Sequence, residues 1–138
     1  MIVFVDTNVL LDVLAHRTPF YNVAMPIWTL AETGRIEGYV AAISFTNCYY
    51  MIRKFANRTR AEEAVRALRD TFTTVDLTAQ VLNQAIDAGF DDFEDAIHFH
   101  SAIQAQAECI ITRNPDDFPK FPLSILSPAD FLVTHSFE

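Results

Sequence analysis

Apolar and polar positions fall in short blocks along this chain. Ile2, Val3, Phe4 and Val5 are all β-branched or aromatic, and the run stops at Asp6. A block of that kind predicts a strand buried on both faces, as in a parallel sheet. Val9 to Leu14 then follows helical spacing. Phe20 to Thr33 resumes it and ends at Gly34, a residue suited to a C-terminal cap. Gly38 to Ala42 reads as a second strand. Ser44 reads as the cap of a helix that turns Phe45, Cys48, Tyr49 and Ile52 inward. Thr59 to Glu62 has the form of a capping box, opening a basic helix to about Asp70. Phe72 to Leu77 reads as a third strand, and Thr78 opens a helix that ends at Gly89. Phe93 to Ala107 is a helix led by acids, as the macrodipole prefers. Cys109 to Thr112 and Leu123 to Leu126 read as two more strands, and Ser127-Pro128 starts a terminal helix. Strands alternating with helices predict an α/β fold with a mostly parallel sheet covered on both faces. No repeat or linker interrupts it, so residues 1–138 read as a single domain.

Composition adds a compartment and a charge problem. Hydrophobic residues make up 51% of the 138, with 12 Phe, which argues for a packed core and against disorder. No stretch reaches the ~20 apolar residues of a membrane span. The start of the chain shows no basic region ahead of a long apolar run, so no signal peptide is expected. Cys48 and Cys109 fall in apolar segments and read as buried free thiols of a cytoplasmic protein. A net charge of −8 argues against nonspecific nucleic-acid binding by bulk charge. The charge is uneven, however. Six of the 10 Lys and Arg residues are Arg53, Lys54, Arg58, Arg60, Arg66 and Arg69, while Asp87, Asp91, Asp92, Glu94 and Asp95 crowd one short acidic stretch. An acidic pocket beside a basic flank suits a metal-bridged anionic substrate; two solvated helix faces explain the same pattern.

Three places bring polar residues to one edge of such a sheet: Asp6 after the first strand, the helix opening Asp92 to Asp95, and the loop Asn114 to Asp117. Asp92 and Asp95 share a helix face, with Glu94 expected to point elsewhere. With the first and fourth strands as neighbours, Asp6, Asp95 and Asp117 converge, and their repulsion calls for protonation or a cation. Hard oxygen ligands suit Mg²⁺ or Mn²⁺, whereas no His and Cys pair has zinc spacing. The plainer reading makes Asp6 or Thr7 a helix cap. His98, one turn beyond Asp95, could reach the pocket, but is expected first as a partly buried structural residue, and His100 is expected to face away. Trp28, Tyr49 and Tyr50 are expected in the core or an interface.

The stretches VDTNVLLDVL and DFEDAIHFHSAIQAQAECIITRNPDDF, with the element order between them, resemble PIN-domain ribonucleases, most closely the VapC-like toxins of toxin–antitoxin pairs. The resemblance implies a three-layer α/β/α sandwich with strand order 3-2-1-4-5 and an acidic pocket for one or two divalent ions. By position, Asp6, Asp95 and Asp117 match family acids. A further acid, usually Glu on the helix after the second strand, falls on Asn47 in SFTNCYY, and Asn114 takes a place that is often Asp. Asp92 or Glu94 could compensate, with Asp92 the better placed by helical phase. Thr7 and Thr112 would hydrogen-bond a ligand carboxylate or its water. Arg53, Lys54 and Arg58 would guide RNA, and Arg113 would contact phosphate or form a surface salt bridge. The implied function is divalent-metal-dependent hydrolysis of RNA by in-line attack of water, leaving a 5′ phosphate. The implied partners are a small antitoxin covering the pocket and a second copy of the chain. The alternative is a catalytically weak PIN module that binds RNA or a protein. A phosphoacceptor receiver domain also uses an Asp after a strand, but the N-terminal acid pair and strand-end Lys it needs are missing, since Lys120 follows a Pro-rich loop.

Overall fold

A computed structural model describes residues 1–135. The last three residues of the expected 1–138 domain lie outside them. The elements run β1 (Ile2–Val5), α1 (Thr7–Leu14), α2 (Tyr21–Glu32), β2 (Glu37–Ala41), α3 (Ala42–Phe55), α4 (Arg58–Thr71), β3 (Thr73–Val75), α5 (Ala79–Asp87), α6 (Phe93–Gln104), β4 (Cys109–Ile111), β5 (Ser124–Leu126) and α7 (Pro128–Thr134). The five strands form one sheet in the order β3-β2-β1-β4-β5, and every pairing is parallel. That is the order the family resemblance implies.

Alternate residues of the sheet feed two cores. Val3 and Val5 pack with residues of α1, α2, α3, α4 and α7. Phe4 and Ile110 point the other way, among Phe99 and Ala102 of α6, while α5 packs behind α6 through Val81 and Ala85. Burial of β1 on both faces is why its sequence is an unbroken apolar run. The order in which successive strands are added reverses between β1 and β4, and their C-terminal ends open the crevice where sheets of this kind hold ligands.

Local caps depart from expectation at two helices. Ser44 does not cap α3: the helix begins at Ala42 with no side-chain cap, and Ser44 is fully buried against Thr7 instead. At α4 the cap is Asn57, whose side chain accepts from the Arg60 amide at 2.8 Å, and Glu62 pairs with Arg58 rather than closing a capping box. Thr78 and Ser127 cap α5 and α7 as expected. α6 stops at Gln104 rather than Ala107, because Gln106 turns to a positive φ of 59° ahead of β4.

Candidate active site

Asp6 stands at the end of β1, at the N-cap position of α1, yet its side chain makes no capping bond. The plain capping role is therefore excluded for Asp6. Its carboxylate is buried and turned across the sheet. Thr112, just past β4, donates from Oγ1 to Asp6 Oδ2 at 2.7 Å, and His98 Nε2 lies 3.3 Å from Asp6 Oδ1. Thr7 Oγ1 is 3.1 Å from the same imidazole nitrogen and 2.7 Å from Ser44 Oγ.

His98 is the first correction. It is fully buried rather than partly buried, and it reaches the acids, as its place one turn beyond Asp95 allows. Its Nε2 faces Asp6, Thr7 and Glu94, the last at 3.4 Å, so the proton belongs on Nε2. Among the described residues its Nδ1 has no hydrogen-bond partner. Burial works against the imidazolium, but the Glu94 hydrogen bond and the charges of Asp6, Glu94 and Asp95 outweigh it, and the pKa of His98 rises.

Glu94 is the second correction. It faces this network rather than elsewhere, because the Glu94–His98 spacing of one helical turn puts both side chains on one face. The His98 hydrogen bond holds its carboxyl below the usual range against partial burial, with further help from the His98 charge and from Asn47 and Thr7 side chains. Asn47, in the place of the expected acid, thus serves a carboxylate instead of supplying one. Asp92 does not compensate in that way, since its Oδ1 caps α6 by accepting from the Glu94 and Asp95 amides at 2.8 and 3.4 Å.

Asp95 follows on the same first turn of α6. Burial raises its pKa first, then the charges of Asp6 and Asp92, with His98 opposing and Asp117 adding, to about 7. Asp117 lies in the single-turn 3-10 helix Pro115–Asp117, its amide donating to the Asn114 carbonyl at 3.1 Å. The Asn114 amide in turn donates to Thr112 Oγ1 at 3.2 Å. Among the described residues no three His, Cys, Asp or Glu side chains stand close enough together to hold a metal ion. The acids therefore share one electrostatic neighbourhood without the close convergence expected of Asp6, Asp95 and Asp117. In donor type and charge they fit a hard divalent cation, since Asp95 carries the strain that positive charge would relieve.

Of the basic residues expected to meet RNA, Lys54 lines a cleft of about 500 Å³ with Thr7, Asn47 and Glu94. Arg53 donates to the Tyr49 hydroxyl at 3.3 Å, and Arg58 is paired with Glu62 at 2.9 Å. Arg113 is turned inward onto Asp12, with Nη2 and Nε at 3.0 and 3.1 Å from its two oxygens; its ion pair is half-buried rather than superficial. Tyr50, expected inside or at an interface, is 65% exposed on the rim of the cleft. Trp28 is core, edge-on to Phe72. Cys48 and Cys109 are buried free thiols, each pushed up to about 12 chiefly by burial. Neither is poised for reaction. The contacts of Glu94 with His98, Ser44 with Thr7, and Asp12 with Arg113 are not predicted by the sequence; only the first carries a local signal, its helical-turn spacing.

The parallel order, the acids at the switch point and the TRN loop define an α/β domain of the PIN type. The PIN-domain family model matches residues 2–116, and the chain belongs to that family. No curated protein matches it by sequence. Solved structures with the same fold include a toxin–antitoxin complex from Klebsiella pneumoniae, at 19% identity and TM-score 0.68 over 91% of this chain and 97% of that one. VapBC-1 from nontypeable Haemophilus influenzae matches at 15% identity and TM-score 0.70, over 94% and 99%. VapC20 from Mycobacterium tuberculosis, described as a toxin that cleaves the sarcin-ricin loop, matches at 16% and 0.64, over 78% and 86%.

Proposed function

We propose that this PIN domain is a divalent-cation-dependent endoribonuclease and the toxin of a toxin–antitoxin pair. The observation that carries the reading is Asp95, whose carboxyl is lifted to about 7 by burial and by the charges of Asp6, Asp92 and Asp117. Acids drawn from distant parts of the chain to a sheet's switch point make a site short of positive charge, and Mg²⁺ or Mn²⁺ suits its oxygen donors. Asp6, Asp95 and Asp117 would bind the ion partly through water, since no three such side chains among the described residues stand close enough to ligate it directly, with Glu94 at the rim. When bound, such an ion neutralises phosphate charge and makes a water more acidic. The remaining work falls to the chain. Thr112 fixes one oxygen of Asp6, His98 holds the other beside Glu94, and Asn47 and Thr7 orient Glu94. Lys54 reaches the same cleft and suits an RNA phosphate.

The antitoxin part rests on a surface. A second cleft of about 490 Å³, lined by Leu14, Ile52 and Ala64 among others, shares Met51 and Phe55 with the Lys54 cleft. Together they form a trough of mixed apolar and charged lining that reaches Glu94, with Phe55 76% exposed. A partner segment lying there would cover the pocket. Self-association would also cover exposed Phe20 and Tyr50 of the early helices, and sedimentation decides it. A cytoplasmic setting agrees with the two free thiols and with the lack, among described residues, of any helix long and apolar enough to cross a membrane.

The deciding assay is cleavage of an RNA panel with and without Mg²⁺ or Mn²⁺. Asp6→Asn or Asp95→Asn should abolish cleavage while the fold persists, because Asp95→Asn removes repulsion and Asp6→Asn keeps one oxygen as acceptor for Thr112. Full activity in both variants ends the account. The second reading, a PIN module that binds RNA or protein with little catalysis, is favoured by Asn47 and Asn114 and by the open arrangement of the acids. Calorimetric titration with Mn²⁺ separates the two, since no binding at millimolar ion supports the module.

A further inference from the structure

Asp12 is an acid the site does not use. Its side chain is 2% exposed on α1, against 29% for Arg113, which grips it through both carboxylate oxygens. Burial raises the Asp12 pKa, opposed by Arg113 and Arg17, and Arg17 Nε lies 3.1 Å from Asp12 Oδ1. The Arg113 guanidinium also sits 4.0 Å above the Phe20 ring. A planar, bidentate, stacked guanidinium has one geometry available to it. The backbone beside it is tied to α1 as well. The Arg113 amide donates to Asn8 Oδ1 at 3.2 Å, and Asn8 Nδ2 donates to Thr112 Oγ1 at 3.5 Å. Thr112 Oγ1 then donates to Asp6, and it accepts from the Asn114 amide that leads to the turn bearing Asp117.

We infer that Asp12 and Arg113 are a positioning pair. Their ion pair clamps the loop after β4 onto α1, so that Thr112 holds Asp6 and the Asp117 turn stays at the acids. Arg113 serves the site by fixing this loop and does not contact phosphate. The inference rests on the nuclease reading, and the two fail differently.

The test is steady-state RNA cleavage by Arg113→Lys and Asp12→Asn, with amide hydrogen exchange at residues 112–118. Arg113→Lys keeps the charge and loses the fork. It should cut kcat by about tenfold or more, the scale expected of a small misplacement, with KM within about twofold and exchange faster in the loop but not in β1 or β2. Asp12→Asn should lower kcat likewise, although it frees Arg113 for RNA. A phosphate contact predicts the reverse: Arg113→Lys raises KM at constant kcat, and Asp12→Asn lowers KM. That outcome, or unchanged loop exchange in both variants, overturns the inference. If the wild type cleaves no RNA, the nuclease reading falls, and the exchange measurement still decides whether the pair clamps the loop.

Discussion

Asp6 is tied down on three sides: its amide donates to the Ile111 carbonyl at 2.9 Å, Thr112 donates to one oxygen, and His98 faces the other. Asp95 has no such set of partners and carries the electrostatic cost. Its carboxyl sits at about 7 in the folded chain against an ordinary 3.8. Between those values the folded chain keeps a proton that the unfolded chain has released, so stability falls as pH rises through that window. The cation-free protein should therefore be more stable at pH 5 than at pH 8. Asp95→Asn should flatten that slope and gain about 1 kcal/mol near pH 8, a figure discounted for a half-exposed group. Urea denaturation in chelator at the two pH values checks it. A variant no more stable than the wild type at pH 8 would show that Asp6, Asp92 and Asp117 do not burden Asp95.

At the scale of elements, the close approach of β2 to its neighbours is set by Gly38. A Cβ there would meet Phe72 Cδ1 at 2.6 Å and Cε1 at 2.8 Å, and the Ala31 Cβ at 3.0 Å. Phe72 is buried and packed edge-on to Trp28 with ring centroids 4.9 Å apart, so its ring has little room to withdraw. Gly38→Ala should cost ~1–3 kcal/mol of stability by overpacking, read as a lower urea midpoint. A neutral result would mean that the β2–Phe72 contact yields easily. The strands themselves were legible because burial on both faces leaves only apolar residues in them, and the switch point placed Asp6, Thr112 and the acidic helix opening at one edge. Cap assignments were legible only where nothing tertiary competes. Thr78 and Ser127 bind the amide three residues on, whereas Ser44 satisfies the same local rule but is drawn into the core by Thr7. Glu94 faces the pocket against expectation because Asp92, which helical phase also places there, is the cap of α6. Once Asp92 is the cap, Glu94 falls one turn before His98 and faces the same network. The Asp12–Arg113 pair spans 101 positions, and no local pattern reports a contact of that range.

For the whole molecule, the proposed nuclease function requires a chain of net charge −8 to bring a polyanion to a cluster of acids. The mean field opposes approach, so local positive charge must oppose the field where RNA enters. The basic run from Arg53 to Arg69 is not uniform in this respect. Lys54 borders the cleft at Glu94 and Asn47, and its ammonium lies 5.5 Å from the Phe55 ring with no carboxylate paired to it in the described contacts. Arg58 is engaged by Glu62 at 2.9 Å, both on the outer face of α4. Substituting each by Gln removes the same charge from the protein but a different charge from the cleft. Lys54→Gln should raise KM for RNA several-fold at low salt and reduce the slope of log KM against log salt by about 0.7, the value for one contact to a single strand. Arg58→Gln should change KM by less than about twofold, since an exposed pair contributes little either way. Measuring cleavage at four or five salt concentrations decides between a local contact and a general field. Equal effects from the two substitutions would assign the attraction to the basic face as a whole and leave Lys54 no special part in it.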